Sequence, residues 1–105
     1  MTDLTQLQKE IFANKVAKGF NTTDVPTEFC LIQTELAEAL QAYWKKLPTV
    51  GEELADVAIY LFGLAEMFQV DLGEEILKKV ERNKQREYAR INGVLTRTKD
   101  VEPPS

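Results

Sequence analysis

Glu53-Leu54-Ala55-Asp56, read together with Glu35-Leu36-Ala37-Glu38, is the pair of stretches on which the fold turns. Each sets two carboxylates three residues apart, so on a helix they are neighbours on one face. With Glu53 at zero and 100° per residue, Val57 falls at about 40°, Tyr60 at about −20°, Leu64 at about 20° and Leu61 at about 80°. The acids thus share the apolar sector of their helix. Glu35 repeats the arrangement among Leu31, Ile32, Ala39 and Ala42. Four acids are expected to point toward whatever the two helices pack against. Buried carboxylates cost several kcal/mol each unless something compensates them. Oxygen ligands without histidine suit a hard cation, Mg²⁺ first and Mn²⁺ as the alternative.

Outward from these pairs, the chain reads as four helices. The first opens near residue 2 or 3 and runs to 18, with Gly19 as its C-terminal cap and Leu4, Leu7, Ile11, Phe12 and Val16 as its stripe. A polar loop over 20–25 leads to Pro26 and Thr27, which start a helix reaching about residue 46, closed by Leu47-Pro48. Thr49-Val50-Gly51-Glu52 matches the capping-box pattern, giving Glu52 a structural task and leaving Glu53 as the better ligand. The third helix ends near 68 or 69. Asp71-Leu72-Gly73-Glu74 caps a fourth, running to about 91 and terminated by Gly93. No segment alternates as a strand should. The expectation is an all-α, four-helix-bundle domain over 1–95 with a flexible tail from 96 to 105.

Composition narrows the function. A chain of 105 residues with 44% hydrophobic and 29% charged residues is an ordinary globular domain, small enough to gain from oligomerising. A net charge of −4 argues against binding a nucleic-acid polymer. The absence of histidine removes Ser-His-Asp and Cys-His catalysis and the usual zinc sites. Cys30, the single cysteine, permits no internal disulfide, fits a reducing cytoplasm and reads as a small core residue between Phe29 and Leu31. Neither a signal peptide nor an apolar run of membrane-spanning length is expected.

The fourth helix adds Lys79, Asn83 and Arg86 at i, i+4 and i+7, within about 60° on the wheel and in the sector of Leu72 and Ile76. An acidic pair alone is most often a solvated face, and so is a basic stripe. Two acidic pairs in apolar sectors of consecutive helices, with an inward basic stripe, instead suit a polyphosphate bridged by metal.

These residues resemble a known family. Glu35-Leu-Ala-Glu38 and Glu53-Leu-Ala-Asp56 are similar to the ExxE…ExxD signature of the all-α nucleoside triphosphate pyrophosphohydrolases, the MazG-like proteins that include dCTP pyrophosphatases and relatives of dimeric dUTPases. The run from Glu52 to Leu61 resembles the family's second motif, and Lys79, Asn83, Arg86 and Tyr88 its last helical motif. Thr34 departs from the fuller pattern, which has another glutamate there. The resemblance covers about residues 5 to 90. It implies Mg²⁺ ligation by Glu35, Glu38, Glu53 and Asp56, catalytic roles for Glu38 and Glu53 with Glu38 taking a proton, and phosphate or sugar contacts from Lys79, Asn83 and Arg86. The reaction implied converts a (deoxy)nucleoside triphosphate to monophosphate and pyrophosphate, as house-cleaning of the nucleotide pool, in a dimer or tetramer. Tyr60, Phe20 and Trp44 are the candidates for the base, against a plain packing role for each. Exposed Phe12, Trp44, Phe62 or Met67 would drive association. A phosphoribosyl-nucleotide pyrophosphohydrolase and a non-catalytic helical binding module are the alternatives.

Overall fold

A computed structural model describes residues 3–99. The order is α1 (Leu4–Lys18), α2 (Val25–Trp44), α3 (Val50–Met67), α4 (Leu72–Gln85), β1 (Glu87–Ile91) and β2 (Val94–Lys99). The chain divides into two compact units, Met1–Leu72 and Gly73–Ser105. It is mostly helical, with one two-stranded antiparallel sheet.

In the first unit α2 and α1 both pack on α3. The caps follow from sequence. Asp3 Oδ1 accepts from the Gln6 amide at 3.1 Å, and Asp24 Oδ1 from the Thr27 amide at 3.1 Å. Gly19, at φ 73°, turns the chain out of α1 while the Phe20 amide donates to the Lys15 carbonyl. The expected capping box at α3 does not form. Thr49 occupies the N-cap without a side-chain bond, so Glu52 has no capping task there.

The apolar core consists of Ala39 and Ala42 on α2 with Leu64 and Ala65 on α3. Cys30 lies outside it, exposed. Of Phe12, Trp44, Phe62 and Met67, only Trp44 is exposed and the others are half-buried. Helix α1 departs most from expectation: Val16 is exposed, and the residues it buries are Gln8 and Lys15. Gln8 Nε2 donates to Glu66 Oε2 and to the Val70 carbonyl, both at 2.7 Å, and its Oε1 accepts from the Leu72 amide. One amide thereby satisfies the backbone where α3 ends. Thr5 ties in beside it by donating to Asp71 Oδ2 at 2.7 Å.

Lys15 Nζ donates to both oxygens of Glu28, at 2.8 and 2.9 Å, with Glu28 only 1% exposed. Removing one half of a buried pair strands the other charge in a poor solvent. Lys15→Met alone should destabilise the protein by about 3–5 kcal/mol, readable as a fall in urea midpoint at unchanged slope.

The second unit holds the hairpin that the sequence reading missed. The helix ends at Gln85, not near 91, and Gly93 is a turn residue instead of a helix terminator. Asn92 and Gly93 have φ 52° and 78°, the two positive angles of a type I′ turn, which matches the twist of the strands it joins. Ile91 pairs with Val94 across it, and Tyr88 with Arg97. Residues 96–99, expected in the tail, are strand; residues 100–105 lie outside the described residues. No described helix is long and apolar enough to cross a membrane.

Candidate functional site

The packing of α2 on α3 brings Glu35, Glu38 and Glu53 together. One carboxylate oxygen of each lies within 4.8 Å of the other two. Glu35 and Glu53 are half-buried, whereas Glu38 is exposed. Asp56 is also exposed and stands outside this trio, so the expectation of four inward acids holds only in part. The reason is helical geometry. Three residues advance the wheel by about 300°, so the second acid of each pair stands about 60° from the first, at the edge of the apolar sector.

Asp56 and Glu35 line one cavity of about 630 Å³ formed within α1–α3, together with Tyr60, Phe20, Lys15 and Glu28. Burial, and then the charges of Glu38, Asp56 and Glu53, hold the Glu35 carboxyl above its ordinary value, with a hydrogen bond to Glu38 adding to the effect. Burial and the carboxylates of Glu35, Glu28, Asp56 and Glu38 likewise raise the Tyr60 phenol. At neutral pH Tyr60 is a neutral donor facing acids. The cavity is therefore acidic, half-apolar and preloaded with electrostatic repulsion. Three clustered carboxylates supply hard oxygen donors at separations one divalent cation can bridge, with no nitrogen or sulfur competitor.

The raised Glu35 fixes the sign of a pH effect. A carboxyl whose folded pKa exceeds its unfolded value of 4.5 binds protons more readily when folded. It stabilises the fold below that value and loses the contribution as pH rises through the folded pKa. The metal-free protein should gain melting temperature as pH falls from neutrality toward 4.5, and Glu35→Gln should abolish the gain in a pH series of thermal melts.

Of the three aromatics considered for the base, Phe20 and Tyr60 border the cavity; Trp44 does not, and stands 68% exposed at the end of α2. Lys79, Asn83 and Arg86 lie in the second unit. Lys79 and Asn83 are exposed, Arg86 is half-buried, and Ile76 of the same sector is 40% exposed, so the stripe is not the inward one expected. Arg86 Nη1 donates to Asn83 Oδ1 at 2.8 Å, which joins two of the three. Lys15 and Glu28, absent from the sequence reading, are the charged pair in the cavity wall. Their signal was present: Lys15 falls on the wheel between Ile11 and Phe12, inside the stripe of α1.

No protein-family model matches the chain, and neither the curated proteins nor the solved structures compared with it include a match.

Proposed function

We propose that the protein is a Mg²⁺-dependent nucleoside triphosphate pyrophosphohydrolase of the MazG-like all-α kind, acting on the bond between the α- and β-phosphates. The observation that carries this reading is the convergence of Glu35, Glu38 and Glu53, with Glu35 also lining a cavity large enough for a nucleotide. The donor set fits Mg²⁺: all oxygen, anionic, and on two packed helices that hold it in place. Glu35, Glu38 and Glu53 would hold the ion, with Asp56 one turn beyond Glu53. Bound there, Mg²⁺ would neutralise phosphate charge and acidify a water.

The chain's own residues supply the rest. Glu38, the exposed member of the trio, is assigned to accept a proton from the water attacking the α-phosphorus. Glu53 and Glu35, half-buried, stay oriented by their helix packing. Tyr60, kept protonated, and Phe20 offer aromatic surface for the base.

The protein acts as a homo-oligomer in this reading. Leu36, Leu40, Tyr43 and Leu54 are all exposed and border an apolar groove of about 580 Å³ along α2 and α3. Apolar surface of this extent favours a second copy. The direct test of the activity is a panel of ribo- and deoxynucleoside triphosphates with Mg²⁺, scored for pyrophosphate release. Monophosphate and pyrophosphate in equal amounts are expected. Release of orthophosphate instead, or no release from any member, would contradict the reading.

A further inference from the structure

The buried pair of Lys15 and Glu28 is unexplained by the acid cluster. As a means of joining α1 to α2 it is a poor choice, since an apolar pair of the same volume is commonly as stable or more so. Yet α3 is shaped around it. A Cβ on Gly63 would lie 3.0 Å from Lys15 Cδ and 3.2 Å from Nζ, so the glycine leaves the room that the ammonium occupies. An ammonium has three donors. Two go to the Glu28 oxygens, while α3 flanks Nζ with Gly63 and with the Tyr60 ring, whose centroid is 5.7 Å away. No third acceptor faces Nζ among the described residues. Lys15 is 7% exposed and borders the cavity. Next to it Asn14, exposed, borders the same cavity, and its side chain makes no hydrogen bond to any described residue.

Glu28 cancels the charge of Lys15 at contact distance. This end of the cavity therefore offers a fixed hydrogen-bond donor without net positive charge, beside an amide that both donates and accepts. Such a wall does not attract phosphate, which the acids Glu35 and Asp56 of the same cavity also repel. It complements a neutral planar ring whose edge carries a carbonyl or ring nitrogen next to an N–H. We propose that Lys15, held by Glu28, and Asn14 form the edge-reading subsite for the nucleobase, with Lys15 donating to a ring carbonyl or nitrogen and Asn14 taking the adjacent polar atom. The proposal rests on the nucleotide reading of the cavity and names the residues that set base preference.

Free deoxynucleosides test it without phosphate or metal. Deoxycytidine, thymidine, deoxyadenosine and deoxyguanosine are titrated into the full-length protein in EDTA and followed by NMR. Wild type should bind with a preference among the four. Lys15→Met/Glu28→Met removes both charges together, so no lone ion is buried, and its melting temperature should hold or rise. Its affinity for the preferred nucleoside should fall tenfold or more, with the preference flattened. With triphosphates, KM should rise far more than kcat falls. Asn14→Ala, on an exposed position, provides the same readout if the double variant fails to fold, with a loss of at least threefold. Unchanged affinity and preference in either folded variant would overturn the proposal, as would a wild type that binds no nucleoside. Those results are separable from failure of the hydrolase reading, in which wild type releases no pyrophosphate while nucleosides still bind at Lys15.

Discussion

Glu53→Gln should lower kcat/KM by on the order of 10²–10³-fold, the range seen when one preorganised electrostatic partner of a transition state is removed. Glu53 is half-buried and one of the three acids whose oxygens converge, so the amide keeps the shape and loses the charge. The metal-free protein should not suffer, because neutralising one of several crowded carboxylates relieves repulsion already seen in the raised Glu35. Its melting temperature should hold or rise. Asp56→Asn, outside the trio and exposed, should lose less activity than Glu53→Gln. Glu52→Gln is the comparator: exposed and without a cap bond, it should change stability by less than about 0.5 kcal/mol. Near wild-type turnover by Glu53→Gln at saturating Mg²⁺ would remove the acid cluster from the mechanism.

Much of the first unit was legible in the sequence for identifiable reasons. Asp3 and Gly19 bracket α1 and Pro26 sits in the first turn of α2, because each signal is local and acts within one helical turn. Asp24, read as loop, is the α2 cap, and α2 stops at Trp44, ahead of Leu47-Pro48, where Lys46 turns left-handed at φ 57°. The convergence of Glu35 with Glu53 was legible because both share a sector with apolar neighbours. The exposure of Glu38 and Asp56 followed from the same wheel, had the 60° offset within each pair been weighed. Less legible was α1, where Gln8 and Lys15 occupy the centre of the stripe. Hydropathy excludes such residues from a core, and only their partners, Val70 and Glu66 for one and Glu28 for the other, make burial tolerable. Those partners are 13 to 62 residues away in sequence. The hairpin is different. Asn92-Gly93 between Ile91 and Val94 is a strong local turn signal, and it was outweighed by extending the helical pattern of α4 past Gln85. The capping box at Thr49 shows the opposite error, a matched pattern whose hydrogen bond does not form.

The second large effect is the coupling of nucleotide to metal. Without a cation, Glu35, Glu38, Glu53 and Asp56 meet a triphosphate carrying about four further negative charges. Lys15, the cation among the described residues lining the cavity, is already committed to Glu28. Displacing it would leave Glu28 charged and buried, so it cannot swing to the phosphates at acceptable cost. Nucleotide affinity should therefore rise by about 100-fold in Mg²⁺, near the upper end of ordinary coupling energies, and Mg²⁺ affinity should rise by the same factor in nucleotide. Glu35→Gln/Glu53→Gln should reduce that factor toward unity by removing both the repulsion and the ligands.

Titration calorimetry of a triphosphate analogue non-hydrolysable between its α- and β-phosphates, in EDTA and in millimolar Mg²⁺, measures this coupling directly. Tight binding in Mg²⁺ and binding about 100-fold weaker in EDTA are expected. Equal affinity in the two would mean that the phosphates lie away from Glu35, Glu38 and Glu53, and the metal-assisted hydrolase account would fall with it.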